Sequence, residues 1–259
     1  MITDSRTSIG NLLESGQGAV EWIIALPVLL LLLGGALQFG LVFVAKNTVD
    51  YATFRGVRAA TLDHGSISAF KTGFAEGLAP MFPSGTGLTG YDAALGKATM
   101  AADNAQDLQI QVLNPTTAAI QGWSQNIIRE NGQQVQEIPN SRLIFASTQT
   151  THGGETIQAA NLLKIRANYC YPLFVPYVSE VIGQMMTGQY APSGAWDKSC
   201  YASGGIPIAA VSTQLMQSSL YPQDVQNLTA PAGTPQAPGG IFGSVTNTGA
   251  SCTASTGSG

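Results

Sequence analysis

The amino-acid sequence predicts an α+β protein, in which a long N-terminal helix starts in a membrane and continues into a domain where helices cover an antiparallel sheet. Three observations carry this. Residues 22–45 hold no formal charge and include five consecutive leucines, Leu29 to Leu33. Val42, Ala45, Val49, Ala52, Gly56 and Ala59 then recur at spacings of three and four, the period of a helix. Farther on, Leu108, Ile110 and Val112 alternate with polar residues, the period of a strand with one solvated face. Helix-rich sequence followed by strand-rich sequence suits an α+β domain better than alternating α/β units.

Rising about 1.5 Å per residue, the 24 residues 22–45 reach about 36 Å, enough to cross a hydrocarbon layer of about 30 Å with some tilt. Cleavable secretory signals have apolar cores of about 7 to 15 residues, so this run is too long for one. The lipid bilayer is its expected surrounding. Ala36 and Gly40 form a small-xxx-small pair within the run, which lets a second helix approach closely in lipid. The stripe of Ala45, Val49, Ala52, Gly56 and Ala59 either does the same or covers the chain's own domain. Pro27 removes one backbone hydrogen bond and permits a bend. Gly65 is the expected stop.

Beyond it, Ile67, Phe70, Phe74, Leu78 and Met81 predict a second amphipathic helix, stopped by Pro83. Residues 91–106 read as an alanine-rich helix and 108–112 as a strand. Pro115 opens a short helix extending through Ile128. Residues 142–148 and 163–169 read as strands, 176–186 as a helix, and a long strand runs from Ile206 to near Met216. From Pro222 to the end the only charge is Asp224 among many Pro, Gly, Ser and Thr residues, so a flexible tail is expected over 222–259.

Glu21 stands at the N-terminal edge of the apolar run. A carboxylate there costs several kcal/mol to sink into lipid unless it is neutralised or held at the headgroups. It lies within Gly16-Gln17-Gly18-Ala19-Val20-Glu21-Trp22, which is followed by Leu26-Pro27, the leucine run, Gln38-Phe39-Gly40 and Arg55-Gly56-Val57-Arg58-Ala59-Ala60. This stretch resembles the TadE-like minor pilins of tight-adherence (Flp, type IVc) pili. Looser stretches are similar to the periplasmic portion of longer TadE-like proteins: Leu113-Asn114-Pro115-Thr116, Leu143-Ile144-Phe145, Ala160-Asn161-Leu162-Leu163-Lys164-Ile165, Tyr169-Cys170-Tyr171 and Val175-Pro176.

The resemblance implies that a prepilin peptidase cuts after Gly16, leaving Gln17 as the mature N-terminus, and that Glu21 is recognised in processing or assembly. It implies other minor and major pilins and the inner-membrane assembly platform as partners, and a minor subunit that primes, caps or supports assembly. A mature amino group and the Glu21 carboxylate of a neighbour can neutralise each other where either alone is costly. The expected organisation is a leader over 1–16, a long helix over 17–64, a periplasmic domain over 65–221 and the tail over 222–259. The reading from another class is an uncleaved, membrane-anchored periplasmic binding or scaffold protein.

Charge alone points the other way on orientation. Arg6 is the only basic side chain before the run, whereas Lys46, Arg55 and Arg58 follow it, and the positive-inside rule would leave the domain in the cytoplasm. The resemblance and the cysteines favour the periplasm. Cys170 ends one strand and Cys200 precedes another, so a bridge between them is expected in an oxidising compartment. The remaining Cys252 can be free, pair with another subunit, or displace one of the other two.

Only 10% of the 259 residues are charged, against about 25% in ordinary soluble domains, and the net charge is −4. An intracellular housekeeping enzyme is a poor fit to that composition. Lys and Arg total 11, too few for a surface that neutralises a phosphate backbone, so no nucleic-acid partner is expected. Catalytic elbows, zinc-binding helices and phosphate loops are missing from the sequence, and neither enzymatic activity nor a cofactor or metal is expected. His152 with Glu155, and Asp103 with Asp107, lack further ligands at suitable spacing and read as loop or helix residues.

Overall fold

A 56-residue helix, α1 (Thr7–Leu62), forms the axis of the computed structural model, which describes residues 7–129, 132–141, 143–175, 178–188 and 194–225. Pro27 lies within α1, and residues 7–16 of the expected leader form its first turns. The helix ends where His64 and Gly65 adopt positive φ, 54° and 82°, and the Gly65 N–H donates to the Ala60 carbonyl at 2.8 Å. Lacking a Cβ, glycine accepts this left-handed exit without strain. The Ser66 hydroxyl then caps α2 (Ile67–Leu78) by accepting the Ala69 N–H, and the chain turns back along α1.

Small residues let these two helices touch backbone to backbone. A Cβ added at Gly77 would lie 2.5 Å from the Ala52 Cα, and one at Gly73 would lie 2.9 Å from both the Ala59 Cβ and the Arg55 carbonyl oxygen. Gly56 in turn sits under Phe70, whose carbonyl oxygen would be 2.8 Å from an added Cβ. The stripe of the outer half of α1 is thus used inside the molecule: Val42, Ala45, Val49, Ala52 and Gly56 are buried and Ala59 half-buried. A third helix, α3 (Gly87–Asp103), lies against α2 through Ala94, Ala98, Ala101 and Ala102.

The sheet is antiparallel, with β4 (Leu162–Pro172) between β1 (Leu108–Asn114) and β5 (Gly205–Leu215). Leu163, Ile165, Ala167, Tyr169 and Tyr171 project from β4 on one face, and register pairs Ala167 with Ala210, Tyr169 with Ile208 and Tyr171 with Ile206. That apolar face packs on α1 and α2; the Tyr169 and Phe74 rings stand 6.4 Å apart. Between β1 and β4 come α4 (Thr117–Trp123), the hairpin of β2 (Gln125–Ile128) with β3 (Gln134–Glu137), and α5 (Ile157–Ala160). Between β4 and β5 come α6 (Val178–Thr187) and α7 (Ala195–Ala202), and α8 (Pro222–Val225) follows β5.

The α+β class and the long helix are as predicted, and three local expectations are corrected. The helix opened by Pro115 stops at Trp123, because Gln125 to Ile128 carry β-branched residues that pair with β3, Ile127 lying opposite Val135. No strand forms over 143–148. Leu143–Phe145 make a single 3-10 turn whose Leu143 carbonyl, with that of Ala146, accepts from the Gln158 amide, so these carbonyls are taken by a side chain rather than by a neighbouring strand. Arg142 lies outside the described residues. Nor does the tail begin at residue 222: Pro222 and Val225 are buried, and Leu220 and Val225 pack over Gly65 at the end of α1. His64 fastens this end. Its ring stacks on Tyr221 at 4.0 Å and its backbone N–H donates to the Ser218 hydroxyl at 2.8 Å. Residues 226–259, with Cys252, lie outside the described residues, as do 1–6 of the leader.

Candidate membrane-embedded assembly helix

The two halves of α1 have opposite surroundings. From Val42 outward one face is buried by α2 and the sheet, whereas from Trp22 to Leu37 the large apolar side chains are exposed. A helix that is apolar and bare all round is stable only where its surroundings are also apolar. Among the described residues one helical stretch, Glu21–Leu62, is long and apolar enough to cross a membrane. Glu21 is exposed and shares a face with Ile24, Ala25, Val28, Leu29 and Leu32. Its carboxylate thus heads an apolar stripe, at the level where a neutralising group would have to lie. Gly16 and Gln17 lie on the same helix five and four positions earlier. Ala36 and Gly40 are both exposed, and a Cβ added at Gly40 meets nothing within 4 Å.

The small-residue positions predicted from sequence therefore separate. Ala45, Val49, Ala52 and Gly56 are consumed by the domain, Ala59 partly so, while Ala36 and Gly40 remain open to another helix. Above the run two of the three cations are paired, Lys46 with Asp50 and Arg55 with Glu76. Both pairs are partly exposed, so they tidy the surface more than they stabilise it.

Residues 16–58 match the family model of TadE-like proteins. Over this stretch the N-terminal helix is similar to that of TadE-like proteins. The match opens at Gly16, passes through Gln17 and Glu21, and closes at Arg58, so it covers the bare half of α1 and most of the half that carries the domain. It associates the chain with tight-adherence pili, and with the single apolar helix it fits a membrane-anchored pilus protein. No curated protein and no solved structure matches the chain.

Downstream of the TadE-like match, the residues singled out in the sequence are joints of the fold. Asn114 donates from its amide to the carbonyls of Ala159 and Leu162, Thr116 caps α4, and Asn161 donates to the Ile157 and Pro139 carbonyls at 2.9 and 3.2 Å. Cys170 and Cys200 are joined in a disulfide that ties the end of β4 to α7. Gly205 lies against it, and a Cβ there would be 2.5 Å from the Cys170 Sγ. Burial pushes the Tyr169 phenol up to about 12, with the charge of Asp107 and then Tyr171 adding to the effect.

The pairs weighed as metal ligands are occupied otherwise. His152 and Glu155 exchange backbone hydrogen bonds across a tight turn, the His152 ring meets Trp123 edge-on at 4.5 Å, and the Trp123 indole N–H donates to the Glu155 carbonyl. Asp103 pairs with Lys71, and Asp107 accepts from the Asn104 amide. The Trp196 indole donates to the Ala105 carbonyl at 2.9 Å.

One residue of the apolar run has a role that spacing did not reveal. Gln38 is 2% exposed, and its Oε1 accepts the N–H groups of Phe174 and Val175 at 3.2 and 2.9 Å. The available signal was a lone amide in an otherwise apolar run, a residue type that is costly in lipid unless it holds something.

Proposed function

We propose that this protein is a minor pilin or pseudopilin of a tight-adherence, type IVc pilus, anchored in the bacterial inner membrane with its domain in the periplasm. A prepilin peptidase releases the leader between Gly16 and Gln17. The mature chain then enters the assembly by α1 to prime, cap or support the filament, with other minor and major pilins and the inner-membrane assembly platform as its partners. The observation that carries this reading is the division of α1: a TadE-like stretch opening at Gly16, bare from Glu21 to Leu37, and loaded with a domain only above that level. Neighbouring helices can pack against the bare half around its whole circumference, whereas a domain of this size on every subunit would crowd a shaft. The Cys170–Cys200 bridge suits an oxidising compartment. In this reading Glu21 sets the register between helices by meeting the mature amino group of a neighbour.

The test is the intact mass of the membrane-extracted protein. A chain beginning at Gln17 is expected, and Gly16→Asp is expected to leave precursor and stop pilus formation. Native protein still beginning at Met1 and absent from sheared fibres overturns the proposal and identifies an anchored scaffold instead.

A further inference from the structure

The loop after β4 is fastened to α1 at a level that lies inside the apolar run. Measured from Glu21 up an untilted helix, the far edge of a hydrocarbon layer about 30 Å thick falls near Leu41, so Gln38 stands about 5 Å within it. Phe174 and Val175 are held to Gln38 and share that depth. Irregular backbone in lipid has no water to satisfy its N–H groups. Gln38 supplies the acceptor for two of them. In a loop wholly surrounded by water, hydration would serve as well, and burying an amide there would gain little.

The side chains near this anchor are apolar and uncovered. Phe174 is 65% exposed. Helix α6 begins three residues after Val175 and touches α1; Ile182 and Met186 pack toward the core, while Val181 (46% exposed) and Met185 (53% exposed), one turn apart, point outward. Phe43 and Val44 are likewise exposed along α1 up to the Lys46–Asp50 pair. The uncovered apolar surface of the spanning helix thus continues onto the loop and α6. This continuity selects lipid as the occupant.

We propose that Phe174 and the Val181 and Met185 face of α6 are immersed in the bilayer interface beside the spanning helix, so that the domain rests in the membrane surface rather than above it. The proposal rests on reading α1 as a membrane span. Interfacial helices bury their apolar face by about 5–10 Å. Because α6 contains Glu180 and no Lys or Arg, the seating relies on apolar insertion and the tether at Gln38, and it does not require anionic lipid.

The test uses the full chain with Cys252→Ser, keeping the native bridge, and single cysteines introduced by Leu30→Cys, Val181→Cys, Met185→Cys or Thr213→Cys. Each is labelled with an environment-sensitive fluorophore and reconstituted into phosphatidylcholine vesicles with or without nitroxide-labelled acyl chains. All four positions are exposed, so the labels leave the packing alone, and non-reducing mass analysis checks that the bridge is intact. Loss of most emission at positions 30, 181 and 185, with none at 213, is the expected result, unchanged when phosphatidylglycerol is added. Quenching at 30 with emission at 181 and 185 as bright as at 213 overturns the seating and leaves the span standing. Emission at 181 or 185 that responds to protein density but not to nitroxide makes a second copy the occupant, which also overturns it. An unquenched label at 30 removes the span itself and the proposal with it.

Discussion

Gly77→Ala probes the contact that joins the TadE-like helix to its domain. The added methyl would sit 2.5 Å from the Ala52 Cα, 3.0 Å from its Cβ and 3.2 Å from its nitrogen. Carbon atoms rest at about 3.5–4.0 Å, so α1 and α2 have to part by about 1 Å where they cross. The opposing atoms are mostly helix backbone and cannot swing aside as a long side chain would. Overpacking of this kind costs about 1–3 kcal/mol, and a backbone clash belongs at the upper end. Alanine returns about 1 kcal/mol through its better helix propensity, leaving a net loss of about 2 kcal/mol. For a folded unit of this size that lowers the unfolding temperature by roughly 4–8 °C. The assay is a thermal melt of the full chain in detergent, followed by near-ultraviolet circular dichroism. Gly40→Ala is the paired control, because a Cβ there meets nothing within 4 Å. A Gly77→Ala protein melting at or above the parent temperature refutes the close crossing, and so does a matching loss in Gly40→Ala.

Two further outcomes follow from the domain. Replacing Cys170 and Cys200 together by serine should lower stability by about 2–4 kcal/mol in the chain-entropy model, read as a lower denaturation midpoint that reductant does not shift further; a midpoint equal to that of the oxidised parent contradicts it. Stability should also fall as the solution is made alkaline. Burial holds the Tyr169 phenol neutral up to about 12, whereas an unfolded chain releases that proton near pH 10. Between these values the folded state binds more protons than the unfolded one, so the contribution is whole below about pH 10 and is lost as pH rises toward 12. Melts across this range should show a decline that is shallower in Tyr169→Phe, and equal slopes would remove Tyr169 as its cause.

How much was legible in the sequence varies by element. The long helix could be read because two independent signals coincide in it: absence of charge over 22–45 and a stripe of small residues continuing at the same period to Ala59. The central strand could be read because β4 alternates Leu163, Ile165, Ala167 and Tyr169 against a single buried face. Local pattern failed where partners are distant. Residues 125–128 pair with a strand beyond a turn, 143–145 surrender carbonyls to Gln158, and 222–225 are held by the far end of α1.

The same division holds for the candidate site. Residue type and spacing drew attention only to a carboxylate, Glu21, at the edge of an apolar run with Gly16 five positions before it; the processing roles of Gly16, Gln17 and Glu21 are what the resemblance to TadE-like minor pilins implies. Which small residues remain open to another helix is a three-dimensional matter. The openness of Gly40 and the closure of Gly56 cannot be told from identity, since both are glycines on one helix; only the arrival of Phe70 over Gly56 separates them. Gln38 shows the same limit: its amide gains a purpose when a loop 136 residues away returns with two N–H groups to satisfy. Sequence fixes what each helix can bury, and the fold decides which part is already covered.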